Sequence, residues 1–154
     1  MATLTVTHKE SLTLNGSEEG KINVQSITGI NDVYKRVVTC TNDVDTTLAV
    51  FKAAADTADS AIDIENVRYL RVTNLDSADP VHLSLQVDQG TDGADDQATL
   101  HLAAGQSFIM GKTDLGIAAT DDAAVDTTLN DLESIIAHPT GSDALQVEVF
   151  IAST

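Results

Sequence analysis

Tryptophan is absent from this chain, aromatic residues make up only 3% of it, and there is a single cysteine. One cysteine cannot close a disulfide within the chain, so stability has to come from packing or assembly. Cys40 sits in the apolar run VVTC and reads as a small buried hydrophobe rather than a nucleophile. Without tryptophan and with three Phe and two Tyr, the core has to be built from Val, Ile, Leu and Ala. Tyr69, Phe51, Phe108 and Phe150 are the largest packing candidates. The same scarcity makes a poor platform for stacking sugars, which weakens a lectin-like reading. No apolar run approaches the roughly 18 residues that a membrane-spanning helix needs. The opening MATLTVTHKE has no charged-then-apolar leader layout, so the chain is expected to start life in a cytoplasm.

Positive charge is the other scarcity. Eight Lys and Arg face 24 Asp and Glu, a formal net charge of −16. Residues 113–154 hold eight acids and no Lys or Arg. Such a surface repels phosphate backbones and anionic lipid, which argues against nucleic acid and membranes as partners. Many of the acids are Asp among Ala, Thr and Gly, a setting that suits solvated loops. A solubilising exterior, or adaptation to salty water, accounts for them; a cation-binding surface is the sharper alternative.

What is present is alternation. Across residues 3–14, Leu4, Val6, Leu12 and Leu14 oppose Thr3, Thr5, Thr7 and Thr13. Asn15-Gly16 within NGSE predicts a tight turn, because both residues accept positive φ. Further strands are predicted over 21–27, 33–41, 46–52, 67–74, 81–88, 97–102, 107–110 and 145–152. In the stretch VRYLRVTNLDSADPVHLSLQV, Val81, Leu83, Leu85 and Val87 point one way and His82, Ser84 and Gln86 the other. Two strands joined by a polar turn are expected there, with a Gly-led return strand at AGQSFIMG. Residues 53–61 read as a loop or a single helical turn, 132–137 as helix or strand, and 138–143 as a turn. About eight short strands, and no helix beyond about two turns, predict an all-β protein. The expected architecture is a single antiparallel β-sandwich domain over 1–154, jelly-roll-like. Parallel α/β is excluded because helical crossovers of a dozen residues are missing.

Chemistry is sparse. His8, His82, His101 and His138 have no partner at metal-ligand spacing, although His82 and His101 lie at polar positions of neighbouring strands. No nucleophile elbow, H-E-x-x-H motif or phosphate-binding glycine loop is found. The loop DQGTDGADD, with Asp88, Asp92, Asp95 and Asp96, offers oxygens that calcium favours. It does not follow the EF-hand pattern, however, and TDDAAVD at Thr120–Asp126 has the same weakness. An exposed acidic loop is the plainer reading of both. YKR at Tyr34–Arg36 and RYLR at Arg68–Arg71 place cations within strands of an anionic chain. Pairing with acids inside the sheet is the default there, and an intersubunit contact the alternative. No catalytic, cofactor-binding or metal-ligating residue is assigned, and no enzyme activity or cofactor is expected.

Three segments resemble small virion structural proteins of tailed bacteriophages, particularly those of marine cyanobacteria. One is Tyr69, Leu70, Arg71, Val72, Thr73, Asn74, Leu75 and Asp76, matching a Y-[LI]-R-[VI]-T-N-[LK]-D pattern. The others are Gly105, Gln106, Ser107 and Phe108 in an L-x-x-G-[QE]-S-F strand, and the apolar tail Val149–Ala152. The resemblance extends over about two thirds of the chain, and the acidic stretches 89–96 and 120–128 lie outside its pattern. It implies a non-enzymatic particle component, namely a capsid decoration or cement protein on the virion exterior. Its partners would be the major capsid protein or other virion proteins, and it would form a homo-oligomer with a trimer favoured. A tail, neck or head-fibre component of the same particle is the alternative, and a calcium-dependent binding or adhesion module a further one.

Overall fold

Period-two alternation predicts one buried side for an extended segment, and the computed structural model shows which segments have one and what it packs against. It describes residues 1–53, 61–87, 96–119 and 125–154. In chain order the strands are β1 (Ala2–Lys9), β2 (Thr13–Leu14), β3 (Ser17–Glu18), β4 (Ile22–Ile30), β5 (Asp32–Cys40), β6 (Thr46–Lys52) and β7 (Ile62–Asp63). They continue with β8 (Val67–Asn74), β9 (Val81–Val87), β10 (Asp96–Leu102), β11 (Ser107–Met110), β12 (Leu132–Pro139) and β13 (Leu145–Ser153). One 3-10 turn, Ile64–Asn66, is capped by Asp63, whose side chain accepts from the Glu65 N–H. The protein is all-β, as its patterning predicts.

Two sheets form a sandwich. Sheet I has the order β10-β9-β12-β6-β7 and sheet II the order β11-β8-β13-β5. Every pairing within them is antiparallel except the short parallel match of β6 with β7. Val81, Leu83, Leu85 and Val87 of β9 are buried, as are Leu145, Val147, Val149 and Ile151 of β13. With Leu48, Phe51, Leu70, Val72 and Ile135 they fill the space between the sheets. Cys40 is in this core, and burial raises its thiol pKa above the ordinary value, with the Thr46 hydrogen bond pulling weakly the other way. That is the inert hydrophobe its sequence context implies.

Three expectations need correction. The run 67–87 is not a hairpin, because β8 belongs to sheet II and β9 to sheet I. The polar turn between them is a corner from one sheet to the other, and β8 pairs instead with β13 and β11. The turn predicted over 138–143 begins late: 132–137, open between helix and strand in the sequence, is strand, and that strand runs on through His138 to Pro139. Proline marked a turn in the sequence, yet it is tolerated as the terminal residue of a strand. The third correction concerns the N-terminal alternation. It does not enter either sheet: β1 pairs with β4 and β2 with β3. The predicted loop at 53–61 falls largely outside the described residues.

The corner is built around Asp76. Its Oδ1 accepts from the N–H groups of Ala78 (2.8 Å) and Asp79 (2.9 Å). The Asp79 N–H contributes most to holding the Asp76 carboxyl below the ordinary aspartate value of 3.8. A depressed folded pKa gives stability that is complete above the unfolded value and is lost as pH falls through the folded one. Asp76→Ala is therefore expected to lose less further stability than the wild type between about pH 4 and pH 2. Urea titrations at several pH values read this directly, and parallel acid limbs for the two proteins would refute it.

Candidate functional site

The N-terminal fifth of the chain stands apart from the sandwich. β1 and β4 run antiparallel from Ala2↔Ile30 to Lys9↔Ile22, and β2–β3 continue the ladder to Leu14↔Ser17. Between the two ladders, the Glu10 N–H donates to the Lys21 carbonyl (2.8 Å) and the Glu19 N–H to that of Leu12 (2.8 Å). The ribbon closes on Asn15 and Gly16, both at positive φ (50° and 84°), the turn geometry the Asn-Gly pair predicts. Thirteen residue steps at a strand's rise make an arm about 40 Å long. Gly20 is required where the strands come closest, since a Cβ there would stand 2.2 Å from the Glu10 carbonyl oxygen.

Only the base of the ribbon is anchored. Leu4, Val6, Ile27 and the buried Ile30 pack on Tyr69, Phe150 and Ala152, which point outward from sheet II. Tyr69 and Phe150 meet edge to face with centroids 6.0 Å apart. Beyond the base, Leu12, Leu14, Ile22 and Val24 are each 55–58% exposed. An isolated two-stranded hairpin is marginal in water, so an arm of this length that exposes its aliphatics on its own gains little from being held out.

Beside that base, sheet II carries the cations that the sequence left open between internal and intersubunit roles. In register Lys35 and Arg71 flank Phe150 from the two neighbouring strands. Both reach the Glu148 carboxylate two residues away, Lys35 Nζ at 3.2 Å and Arg71 through Nη2. Arg71 also lies 6.0 Å from the Phe150 ring centroid. Two cations thus share one carboxylate. Arg36 makes no ion pair among the described residues; its Nη1 donates to the Tyr34 hydroxyl (3.2 Å). Arg68 donates to the Glu65 carbonyl (2.7 Å). Val33 and Val37, which alternate with Lys35 on the exposed edge strand β5, are half-exposed.

Sheet I carries a second cluster. His101 is paired with His82, and His138 with His82, so three of the four histidines form one row across β10, β9 and β12. The rings of His82 and His101 are edge to face, 5.4 Å between centroids. His138 Nδ1 hydrogen-bonds Asp45 Oδ1 at 2.8 Å instead. His82 and His138 border a shallow groove of about 270 Å³ with Ser84, Gln86, Gln97 and Thr99. The sequence pointed to the His82–His101 meeting but missed His138, because Pro139 disguised the end of its strand. Among the described residues no three His, Cys, Asp or Glu side chains are placed to hold one metal ion. Of the acidic loops, residues 88–95 and 120–124 lie outside the described residues. Asp126 accepts from the Thr128 N–H (2.8 Å).

No family model matches the chain, and no curated protein matches it. Among solved structures, a chain from "Bacillus endospore appendages form a novel family of disulfide-linked pili" aligns over 80% of this chain and 85% of its own. It is 12% identical with a TM-score of 0.43. A likeness of that size assigns neither family nor function.

Proposed function

We propose that this chain is a non-enzymatic structural subunit of a bacteriophage virion, a decoration or cement protein bound to the exterior of the head through protein–protein contacts. The carrying observation is the ribbon, an arm about a fifth of the chain in length that leaves Leu12, Leu14, Ile22 and Val24 uncovered. A subunit that works by contact with neighbours has a use for such an arm. A catalyst would concentrate chemistry in a cleft, whereas the His82 row borders only a shallow polar groove. The net charge of −16 suits a surface that meets solvent and protein rather than packaged DNA. The resemblance of the Tyr69–Asp76 and Gly105–Phe108 segments to virion proteins supplies the particle.

Co-sedimentation with empty heads of the virus whose genome encodes the chain tests the reading. Stoichiometric binding to heads is the expected result. Protein that stays in the supernatant with heads and instead pellets with isolated tails moves the assignment to the tail, neck or head-fibre reading. Protein bound to neither overturns the virion reading.

A further inference from the structure

We infer that the ribbon tip of one copy seats on the β5 edge of sheet II in a second copy, an inference that rests on the assembly reading above and names the partner of its exposed arm. Charge selects the occupant. Residues 1–30 contain three Glu and two Lys, so −15 of the −16 formal charge lies in residues 31–154. Two sandwich bodies therefore repel each other over most of their surface. The ribbon carries only −1 in all, and its anionic tip can approach another copy where that copy presents cations.

Within the ribbon the charges are sorted. The tip, residues 10–19, carries Glu10, Glu18 and Glu19 around Leu12 and Leu14, and no cation. The β5 edge presents the reverse pattern. Val33, Lys35 and Val37 alternate along its outer face, and Arg36 follows on the opposite side of the same strand. Because Lys35 and Arg71 share Glu148, one unit of positive charge there is uncompensated, and Arg36 adds another without an ion pair among the described residues. Leu12 and Leu14 against Val33 and Val37 would cover aliphatics on both sides, with Glu19 on the leucine side of the ribbon facing Lys35, and with Glu18 and Arg36, each on the far side of its strand, at the rim of the contact. β5 is also a nine-residue edge, the longest edge strand of the two sheets among the described residues, so the contact would screen exposed backbone as well.

The test is a charge exchange followed by light-scattering mass and sedimentation velocity. Wild type is expected to associate. Glu18→Lys with Glu19→Lys in one variant, and Lys35→Glu with Arg36→Glu in another, are each expected to weaken association at least tenfold. The four-site variant, which restores opposite signs, is expected to recover part of that loss. All four positions are exposed in the isolated chain, and unchanged circular dichroism and melting confirm that each variant folds. Association that is equal in wild type and both double variants overturns the contact while leaving the assembly reading in place. A wild type that remains monomeric overturns the contact too, and its binding to heads then decides the virion reading separately.

Discussion

Phe51→Ala is expected to destabilise the protein by about 3–4 kcal/mol and to lower its melting temperature by about 10 °C. Phe51 heads the fully buried side chains by volume and is 1% exposed. It projects from β6, one strand in from the edge of sheet I, where β6 meets β7 at Phe51↔Ile62. Removing a phenyl ring forfeits its transfer free energy and leaves a void that close-packed neighbours only partly refill. A groove of about 170 Å³ lined by Phe51, Ile64 and Leu132 adjoins the ring, so water and side-chain adjustment have a route to the new space. That places the cost below the top of the range for buried phenylalanines. Phe108 provides the contrast: it is partly buried on the short edge strand β11, and its alanine variant is expected to cost about half as much. With no tryptophan to report on the transition, far-UV circular dichroism in urea is the suitable probe. A loss under 1 kcal/mol for Phe51→Ala would refute this account of the core.

Sheet membership was harder to read than strand position, and the reasons are physical. Period two fixes which side of Val81–Val87 is buried, because burial on one side is all that alternation encodes. It does not encode which strand lies next door. The turn between β8 and β9 has the polar composition of a hairpin loop, and only long-range bonds, such as the Leu75 N–H to the Gln146 carbonyl (2.9 Å), reveal it as a corner. The ribbon was obscured for a related reason. Leu4 and Val6 alternate as cleanly as any core strand, and the sequence cannot distinguish an aliphatic row that meets its own sheet from one left exposed. Leu12 and Leu14 show the difference only through their exposure. The cations at Lys35 and Arg71 were legible as candidates, since charges within strands of an acidic chain call for partners. Their shared carboxylate was not, because Glu148 lies 77 residues from Arg71. Asn74 and Asp76 entered through resemblance, as letters of a pattern. The structure supplies their reason.

Asn74 closes the corner, and its replacement is expected to be nearly as costly as that of Phe51. It is fully buried at the end of β8. Its Nδ2 donates to the carbonyls of Asp79 (2.9 Å), Leu102 (3.3 Å) and Ala103 (3.3 Å), and its Oδ1 accepts from the Asp76 N–H (3.0 Å). One side chain thus ties the corner to the end of β10 and to the turn that leads into β11. An amide has two hydrogens, so the three carbonyls share them, and no residue of another type supplies two donors and an acceptor at that size. Asn74→Ala leaves buried carbonyls without their donor and is expected to cost about 3 kcal/mol. Asn74→Asp is expected to cost more at neutral pH, because it aims a carboxylate at three carbonyl oxygens. Burial and those oxygens would raise the pKa of the introduced acid above its unfolded value. Its penalty is then full above the folded pKa and is relieved as pH falls toward the unfolded one. Relative to wild type at the same pH, Asn74→Asp should therefore recover stability between about pH 7 and pH 4.5, while Asn74→Ala should not. Urea titrations of the three proteins at those two pH values separate the cases. Equal pH responses of the two variants would mean that the amide hydrogens are not what holds the two sheets together at this corner.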